Sequence, residues 1–99
     1  MAVRSIFWSS QAELTYAHNL EYLARRWNAK VILEFLDTTD DFLQEIARNP
    51  LLFPLYDKKS NIRYCILHKA ITVYFKFSEN EVYLITFWNT YQNPATLVL

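Results

Sequence analysis

The sequence predicts an α+β domain in which two helices pack on one twisted, mainly antiparallel sheet. Three observations support this prediction. A short β-rich segment opens the chain, apolar residues then recur at helical spacing through the first half, and they alternate at strand spacing through the second half. The chain has 99 residues, of which 53% are hydrophobic, and this is enough for one core but not for two. We therefore expect a single domain over residues 1–99.

The first predicted elements are a strand and a helix. Residues 3–8 are rich in β-branched and aromatic side chains, and Ser10 and Glu13 after them have the spacing of a helix capping box. Five apolar residues then fall on one helical face, with polar positions such as Asn19 expected on the surface. The apolar residues are Ala12, Tyr16, Leu20, Leu23 and Trp27. This periodicity predicts an amphipathic helix of about 17 residues.

A second helix is predicted after Asn28, which interrupts the first apolar period. The second period runs to Arg48, and the pair Asn49-Pro50 stops it because proline pushes the preceding residue out of the α region. Residues 37–41 have poor helix propensity, but the apolar stripe continues on both sides of them, so we expect one helix. Residues 51–60 show no sustained period and are predicted to be a surface loop.

Three strands follow, over residues 61–67, 71–77 and 81–88, and their tight links predict an antiparallel meander. The last strand is apolar on both faces, which indicates a central position with the N-terminal strand as its neighbour. The predicted order of elements is therefore βααβββ, a helical hairpin packed on the sheet.

Composition excludes several classes of function. Ten basic and ten acidic residues leave no net charge to attract nucleic acid to the whole surface, so such binding would need a local patch. The chain has no glycine, which excludes glycine-rich phosphate loops. His18 and His68 have no further ligands at metal-binding spacing, so we expect no metal and no cofactor. The single cysteine, Cys65, is expected to be a buried structural residue.

No apolar run approaches the roughly 20 residues that a membrane-spanning helix needs. The N-terminal residues also lack the pattern of a secretory signal. We therefore expect a cytoplasmic protein without membrane contact.

Several segments, taken in order, resemble one protein family. They are the opening Ile6-Phe7-Trp8-Ser9-Ser10-Gln11-Ala12, then Leu20-Glu21-Tyr22-Leu23, Arg48-Asn49-Pro50, Ile62-Arg63, and Leu84-Ile85-Thr86-Phe87-Trp88-Asn89 leading to Gln92-Asn93-Pro94. Together they resemble the RelE/ParE superfamily of bacterial toxins, which includes plasmid stabilisation proteins. The similarity covers nearly the whole chain, and it implies a RelE/ParE-like fold.

This resemblance also implies a function and partners. The chain would be the toxin of a type II toxin–antitoxin pair, inactive in a hetero-oligomer with its cognate antitoxin. ParE-type toxins inhibit DNA gyrase, and RelE-type toxins cut messenger RNA on the ribosome. The absent net charge slightly favours the gyrase mechanism. Ribosome-dependent, metal-independent RNA cleavage is the alternative, and an inactive toxin-like binding module is another.

Candidate site residues follow from the same resemblance. RelE-like enzymes use cationic residues on the central strands and a tyrosine near the C-terminus, which here implies Arg63, Lys69 and Tyr91 as catalytic residues. Two positions where the family pattern has cations hold Cys65 and Thr72 instead. Other polar or basic residues nearby are candidates for substrate binding. These are Lys58, Lys59, His68 and Lys76.

Each of these candidates also has a structural interpretation. The lysines could be solvated loop or strand charges, and Tyr91 could pack on the sheet edge. The apolar tail Leu97, Val98 and Leu99 could either fold back on the domain or contribute to binding the antitoxin.

Overall fold

The computed structural model describes residues 3–99. They form two helices and five strands, with short 3₁₀ turns at Pro50–Leu52 and Pro94–Thr96. In order, the elements are β1 (Ser5–Trp8), α1 (Ser10–Arg26), α2 (Ala29–Arg48), β2 (Leu55–Asp57), β3 (Ile62–His68), β4 (Ile71–Phe77) and β5 (Glu81–Asn89). None of the helices within this range is long and apolar enough to cross a membrane.

Helix α1 has the predicted length of 17 residues, but its cap lies one residue earlier than predicted. Ser9 is the N-cap, with an extended backbone, and its Oγ accepts a hydrogen bond of 2.9 Å from the main-chain N–H of Ala12. Ser10 is therefore the first helical residue, and the expected capping box between Ser10 and Glu13 is not formed. Arg25 and Arg26 occupy the last turn, where positive charge is favourable near the free carbonyls.

Helix α2 is one continuous helix, as predicted, and has 20 residues. The Asn28 side chain accepts a hydrogen bond of 3.1 Å from the N–H of Val31 and so caps its first turn. The helix ends at Arg48 because Asn49 precedes Pro50. Phe35 and Ile46 are buried along the face that meets the sheet.

The sheet has the strand order β1-β5-β4-β3-β2, so β1 is the neighbour of β5, as predicted. β5 is an interior strand, but the central strand is β4 and not β5. A second feature differs from the prediction: residues 55–57, expected in a loop, pair with β3 as the short edge strand β2. β1 pairs in parallel with β5 and the other three pairs are antiparallel, so the sheet is mixed but mainly antiparallel, as predicted. The observed order of elements is βααββββ.

Beyond the end of β1, side chains of helix α1 bond to the edge of β5 in place of a paired strand. A register shift opposite Tyr74 and Phe75 leaves Ile85 as the extra residue of a bulge. Beyond that bulge, side chains of α1 bond to the main chain of Phe87: Thr15 Oγ1 accepts from its N–H at 2.9 Å, and Asn19 Nδ2 donates to its carbonyl at 2.9 Å. Asn19 was predicted on the surface but is buried, because its amide binds the main-chain carbonyl of Phe87 at the edge of β5.

The two faces of the sheet differ. The helices cover one face, and the core there includes Leu23, Phe35 and Ile46 from the helices together with Phe75 and Phe87 from the strands. The opposite face, called here the open face, bears the alternate residues of the paired strands. Its residues include Phe7, Tyr64, Ile66, Thr72, Tyr74, Lys76, Tyr83, Thr86 and Trp88. Of these, Ile66 is 61% exposed whereas Thr72, Tyr74 and Thr86 are buried, so this face is accessible only in part.

Candidate functional site

The predicted site residues separate to the two ends of the sheet. Arg63 lies at the start of β3, and His68 lies at its end. Five residues of extended chain span roughly 17 Å. We call the first region the Arg63 end and the second the Trp27 end, because Trp27 lies beside His68. The three predicted catalytic residues therefore do not converge: Lys69 and Tyr91 belong to the Trp27 end, and Arg63 does not.

Arg63 lies on the helix-covered side of the sheet and not on the open face. It is the register partner of Phe75, a core residue. Its Nη1 donates a hydrogen bond of 2.6 Å to the carbonyl of Phe53, and its guanidinium lies 5.8 Å from the ring centroid of Phe77. The side chain is half-buried. These contacts join the chain after α2 to the sheet, and they leave Arg63 directed away from the open face.

The lysines near Arg63 are exposed and dispersed. Lys58 and Lys59 occupy the turn between β2 and β3, where the Asp57 carboxylate accepts from the N–H of Lys59 at 3.1 Å. The hydroxyl of Ser60 also donates to Asp57 at 2.7 Å, and these bonds lower the pKa of that carboxyl. Lys76 projects from β4 on the open face and is exposed. No other lysine or arginine in the described strands faces that side, so the open face carries little positive charge.

The Trp27 end brings together two cations and several aromatic rings. Lys69 Nζ lies 4.3 Å from the ring centroid of Trp27, and the guanidinium of Arg26 lies 5.8 Å from that of Tyr22. The rings of Tyr22 and Tyr91 are 6.3 Å apart. A cavity of about 400 Å³ opens between these groups, and we call it the Trp27 pocket. Its lining residues are Tyr22, Arg26, Trp27 and Tyr91.

His68 packs against Trp27 and does not itself line the pocket. Its ring meets that of Trp27 edge-on, with 5.4 Å between centroids, and its Nδ1 accepts a hydrogen bond of 3.0 Å from the N–H of Ala70. Desolvation lowers the pKa of His68, and the charge of the adjacent Lys69 lowers it further. Both effects favour the neutral imidazole, the form in which Nδ1 can accept a hydrogen bond.

Sequence reasoning placed Trp27 on the core-facing stripe of α1 and did not select Tyr22 or Arg26. Trp27 does pack partly against the core, but it also lines the pocket. A signal was present in the sequence, because Arg25-Arg26-Trp27 sets two cations beside an aromatic residue at the end of a helix. Only the packing of α1 beside the hairpin between β3 and β4 brings Lys69 to the same place.

A second and larger cavity lies beside the C-terminal tail. It has a volume of about 700 Å³, and we call it the tail groove. Apolar side chains on its walls include Leu14, Ile85 and Trp88, and the tail residues Leu97 and Val98 form part of its rim. Its full lining is Ser9, Gln11, Leu14, Thr15, His18, Ile85, Thr86, Trp88, Gln92, Thr96, Leu97 and Val98. Val98 is 81% exposed and Leu99 is 38% exposed, so the tail covers the groove only in part.

Two further groups bear on the chemistry. Cys65 is buried in the middle of β3, and desolvation raises the pKa of its thiol to about 12, which suppresses the reactive thiolate. Within residues 3–99, no group of three or more histidine, cysteine, aspartate or glutamate side chains is placed to hold a metal ion.

Comparison with known proteins identifies the fold. No family model matches the sequence, and no curated protein matches it. Nine chains of solved structures match the fold. One of them, the structure of the YoeB dimer from Staphylococcus aureus, has a TM-score of 0.60 and 19% sequence identity. The match covers 91% of this chain and 100% of that chain. The protein thus has an α+β fold similar to that of YoeB, with two helices packed on a mixed five-stranded sheet.

Proposed function

We propose that this protein is the toxin component of a type II toxin–antitoxin pair, which inhibits growth in the cytoplasm until a cognate antitoxin neutralises it. The observation that carries this proposal is the similarity in fold to YoeB over 91% of the chain. The superfamily-like segments in the sequence support it independently, because they follow the same order along the chain. Function on this fold depends on the site and not on the fold alone.

The tail groove is the proposed contact surface for the antitoxin. Its apolar walls and partly uncovered rim suit an amphipathic helix that lays its apolar face in a groove. Val98 and Leu99 would then lose their exposed surface to the antitoxin, which provides a hydrophobic contribution to binding. The tail would thus serve as part of the interface and not only as packing for the domain.

This interface is testable with one pair of variants. Val98→Asp places a charge on the rim of the groove, whereas Leu51→Asp places one at a leucine that is 69% exposed and lies outside the groove. The partner is the protein encoded beside the toxin gene, measured by isothermal titration calorimetry. Val98→Asp should weaken binding at least about tenfold, because burial of an unpaired charge is costly. Equal weakening by both variants would contradict the assignment.

Inhibition of DNA gyrase is the first candidate mechanism. Two observations favour it over cleavage. The predicted catalytic residues lie at opposite ends of the sheet, and Arg63 is already engaged with the carbonyl of Phe53. The open face is also mainly apolar and aromatic, with Tyr83 at 41% and Phe7 at 47% exposed. Such a face is better suited to contact with a protein than to stabilisation of phosphate charge.

Ribosome-dependent RNA cleavage is the second candidate, and the Trp27 end favours it. Lys69 and Tyr91 both lie beside the pocket, with His68 adjacent to Lys69. In a metal-independent nuclease, Lys69 would stabilise charge on the phosphate, and Tyr91 would supply a proton to the leaving oxygen. The proposed substrate contacts of Lys58, Lys59 and Lys76 would then concern more distant parts of the RNA.

One expression experiment separates these mechanisms. The chain is induced without its antitoxin, and growth, plasmid supercoiling and messenger RNA ends mapped by primer extension are followed in the same culture. Growth arrest with altered supercoiling would support gyrase as the target, and arrest with cuts in translated messages would support the nuclease. Normal growth at a verified protein level would contradict the toxin proposal and favour an inactive binding module.

A further inference from the structure

A third cavity, of about 420 Å³, lies where the end of α2 meets the start of β1 and the turn between β4 and β5. We call it the Arg48 pocket, and its walls include Arg4, Arg48, Leu51, Leu52, Glu79 and Asn80. Main-chain hydrogen bonds join the three segments. The N–H of Arg4 donates to the carbonyl of Ala47 at 3.1 Å, and that of Ser5 donates to the carbonyl of Asn80 at 3.0 Å. The pocket is therefore framed by a fixed backbone.

Two guanidiniums border this pocket, and both keep free donors. Arg4 donates through Nε to the carbonyl of Ser78 at 2.8 Å, and its two Nη groups make no hydrogen bond within residues 3–99. The Arg48 side chain is exposed, and in the same range it has neither a hydrogen-bond nor a salt-bridge partner. Glu79 lines the pocket but forms no salt bridge with either arginine in the described part of the chain. The free donors are therefore available to an acid from outside.

Two leucines supply the apolar part of the pocket. Leu51 is 69% exposed and Leu52 is 74% exposed. Both belong to the 3₁₀ turn that begins at the buried Pro50, and the N–H of Leu52 donates to the carbonyl of Asn49 at 3.1 Å. The backbone of this turn is thus fixed while its side chains remain in solvent. Adjacent exposed apolar side chains at the edge of a cavity indicate a contact surface.

These groups together match an acidic segment of a protein. The guanidinium donors fit carboxylates, and the leucines fit aliphatic side chains. The Glu79 carboxylate is an acceptor for main-chain N–H groups, which a peptide has and a simple anion lacks. Among the described residues that line the pocket none is aromatic, so a nucleic-acid base would find no ring to stack on. An anionic membrane surface would be repelled by Glu79.

We propose that the Arg48 pocket binds an acidic, leucine-containing segment of a second protein, with its carboxylates on Arg4 and Arg48 and its aliphatic side chains against Leu51 and Leu52. This partner is not the antitoxin segment proposed for the tail groove. The two cavities share no lining residue, and five residues of extended chain, roughly 17 Å, separate Arg4 from Ser9 of the groove. The inference goes beyond the proposed function, because it would hold for either mechanism of growth inhibition.

The test is fluorescence anisotropy with the full chain and a set of short labelled peptides in which glutamate or aspartate alternates with leucine. Arg48→Gln should raise the Kd about tenfold, because a hydrogen bond between two charged groups is lost. Leu52→Ala should raise it about threefold through loss of apolar contact. Arg25→Gln is the matched control. It removes the same charge from the last turn of the other helix, outside the pocket, and should change the Kd less than about twofold.

Peptide controls exclude general attraction between charges. Glutamine in place of the acidic residues should weaken binding about tenfold, and equal affinity of the glutamine peptides would overturn the role of the arginines. Equal weakening by Arg25→Gln and Arg48→Gln would overturn the assignment to this pocket. Absence of binding to every acidic peptide at low salt would also overturn it. Binding to phosphatidylglycerol vesicles in place of the peptides would assign the patch to a membrane surface and reject the proposal.

The two variants that test the tail groove also separate the two sites. Leu51→Asp sets a negative charge in the Arg48 pocket, so it should weaken the acidic peptides at least about tenfold and leave antitoxin binding unchanged. Val98→Asp should have the opposite pattern. Loss of both ligands in either variant, with the circular dichroism spectrum retained, would contradict two separate sites.

The growth assay distinguishes this inference from the toxin proposal. If the chain binds acidic peptides through the pocket but does not arrest growth, the toxin proposal fails and the pocket assignment stands. If the chain arrests growth while Arg48→Gln binds the peptides as the unmodified protein does, the pocket assignment fails alone.

Discussion

The two ends of the sheet both carry cationic side chains, but the protein uses them differently. At the Arg63 end, the guanidinium of Arg63 donates to the carbonyl of Phe53, and that of Arg4 donates to the carbonyl of Ser78 at 2.8 Å. Both guanidiniums also lie over the ring of Phe77, at 5.8 Å and 5.4 Å. At this end, the arginines link neighbouring segments of the chain to one another.

At the Trp27 end, the corresponding charges remain free of hydrogen-bond acceptors within the described range. The ammonium of Lys69 contacts the ring face of Trp27, and the guanidinium of Arg26 contacts that of Tyr22. An open cavity lies beside them. The difference teaches that a basic residue is informative about function only when its donors are not already occupied. Arg63, the strongest candidate from the sequence, is engaged through Nη1 and the ring of Phe77, although its buried Nε has no hydrogen-bond partner among residues 3–99.

The largest expected effect concerns Asn19, which holds α1, and with it the pocket, to the sheet. Asn19→Ala removes the bonds from its amide to the carbonyls of Thr15 and Phe87 and should lower the free energy of unfolding by about 2–3 kcal/mol. Urea denaturation measures the change. Gln11→Ala, an exposed polar residue on the same helix, should change it by less than about 0.5 kcal/mol. Comparable losses in both variants would contradict the role of Asn19.

Arg63→Met tests whether the Arg63 end is structural. The variant keeps an apolar stem but leaves the carbonyl of Phe53 without its partner, so we expect a loss of about 1–3 kcal/mol in urea denaturation. Lys58→Met, at an exposed turn residue, should change stability by less than about 0.5 kcal/mol. An Arg63→Met protein of undiminished stability that no longer arrested growth would instead favour the catalytic role.

Lys69→Met probes the Trp27 end and should have a smaller effect. Loss of the cation over the ring of Trp27 should lower stability by about 0.5–1 kcal/mol, because the side chain is exposed. Lys76→Met is the control, since it removes an exposed lysine from the open face. Thermal unfolding at low and high salt measures both. If the two variants were equally stable, the contact between Lys69 and Trp27 would contribute nothing to folding.

The smallest expected effect is the pH dependence contributed by His68. Because folding lowers its pKa, the unfolded chain binds more protons near and below the ordinary value of 6.5, so stability falls on acidification through that value. The melting temperature should therefore drop between about pH 7.5 and about pH 5.5 by more in the unmodified protein than in His68→Gln. His18→Gln, at an exposed position, should retain the full drop. An identical drop in all three proteins would contradict this assignment.

Local patterns in the sequence were sufficient for most of the fold. Both helices, the length of α1 and the Asn28 break follow from the apolar period and from capping chemistry, and the interior place of β5 beside β1 follows from its two apolar faces. The short strand β2 was missed because three residues after a proline carry no readable alternation. The N-cap of α1 was predicted at Ser10 but lies at Ser9, because either of two adjacent serines has a side chain suited to capping the helix.

The sites depended on long-range geometry to a greater degree. The sequence by itself determined the zero net charge, the lack of glycine and the identities of the candidate cations. Tertiary structure decided which group each cation contacts. Arg63 binds the carbonyl of Phe53, and Lys69 lies over the ring of Trp27 at the end of helix α1. Periodicity encodes which face of an element is apolar, because that depends on near neighbours. It does not encode which distant carbonyl or ring a flexible side chain will meet, because that depends on how the elements pack.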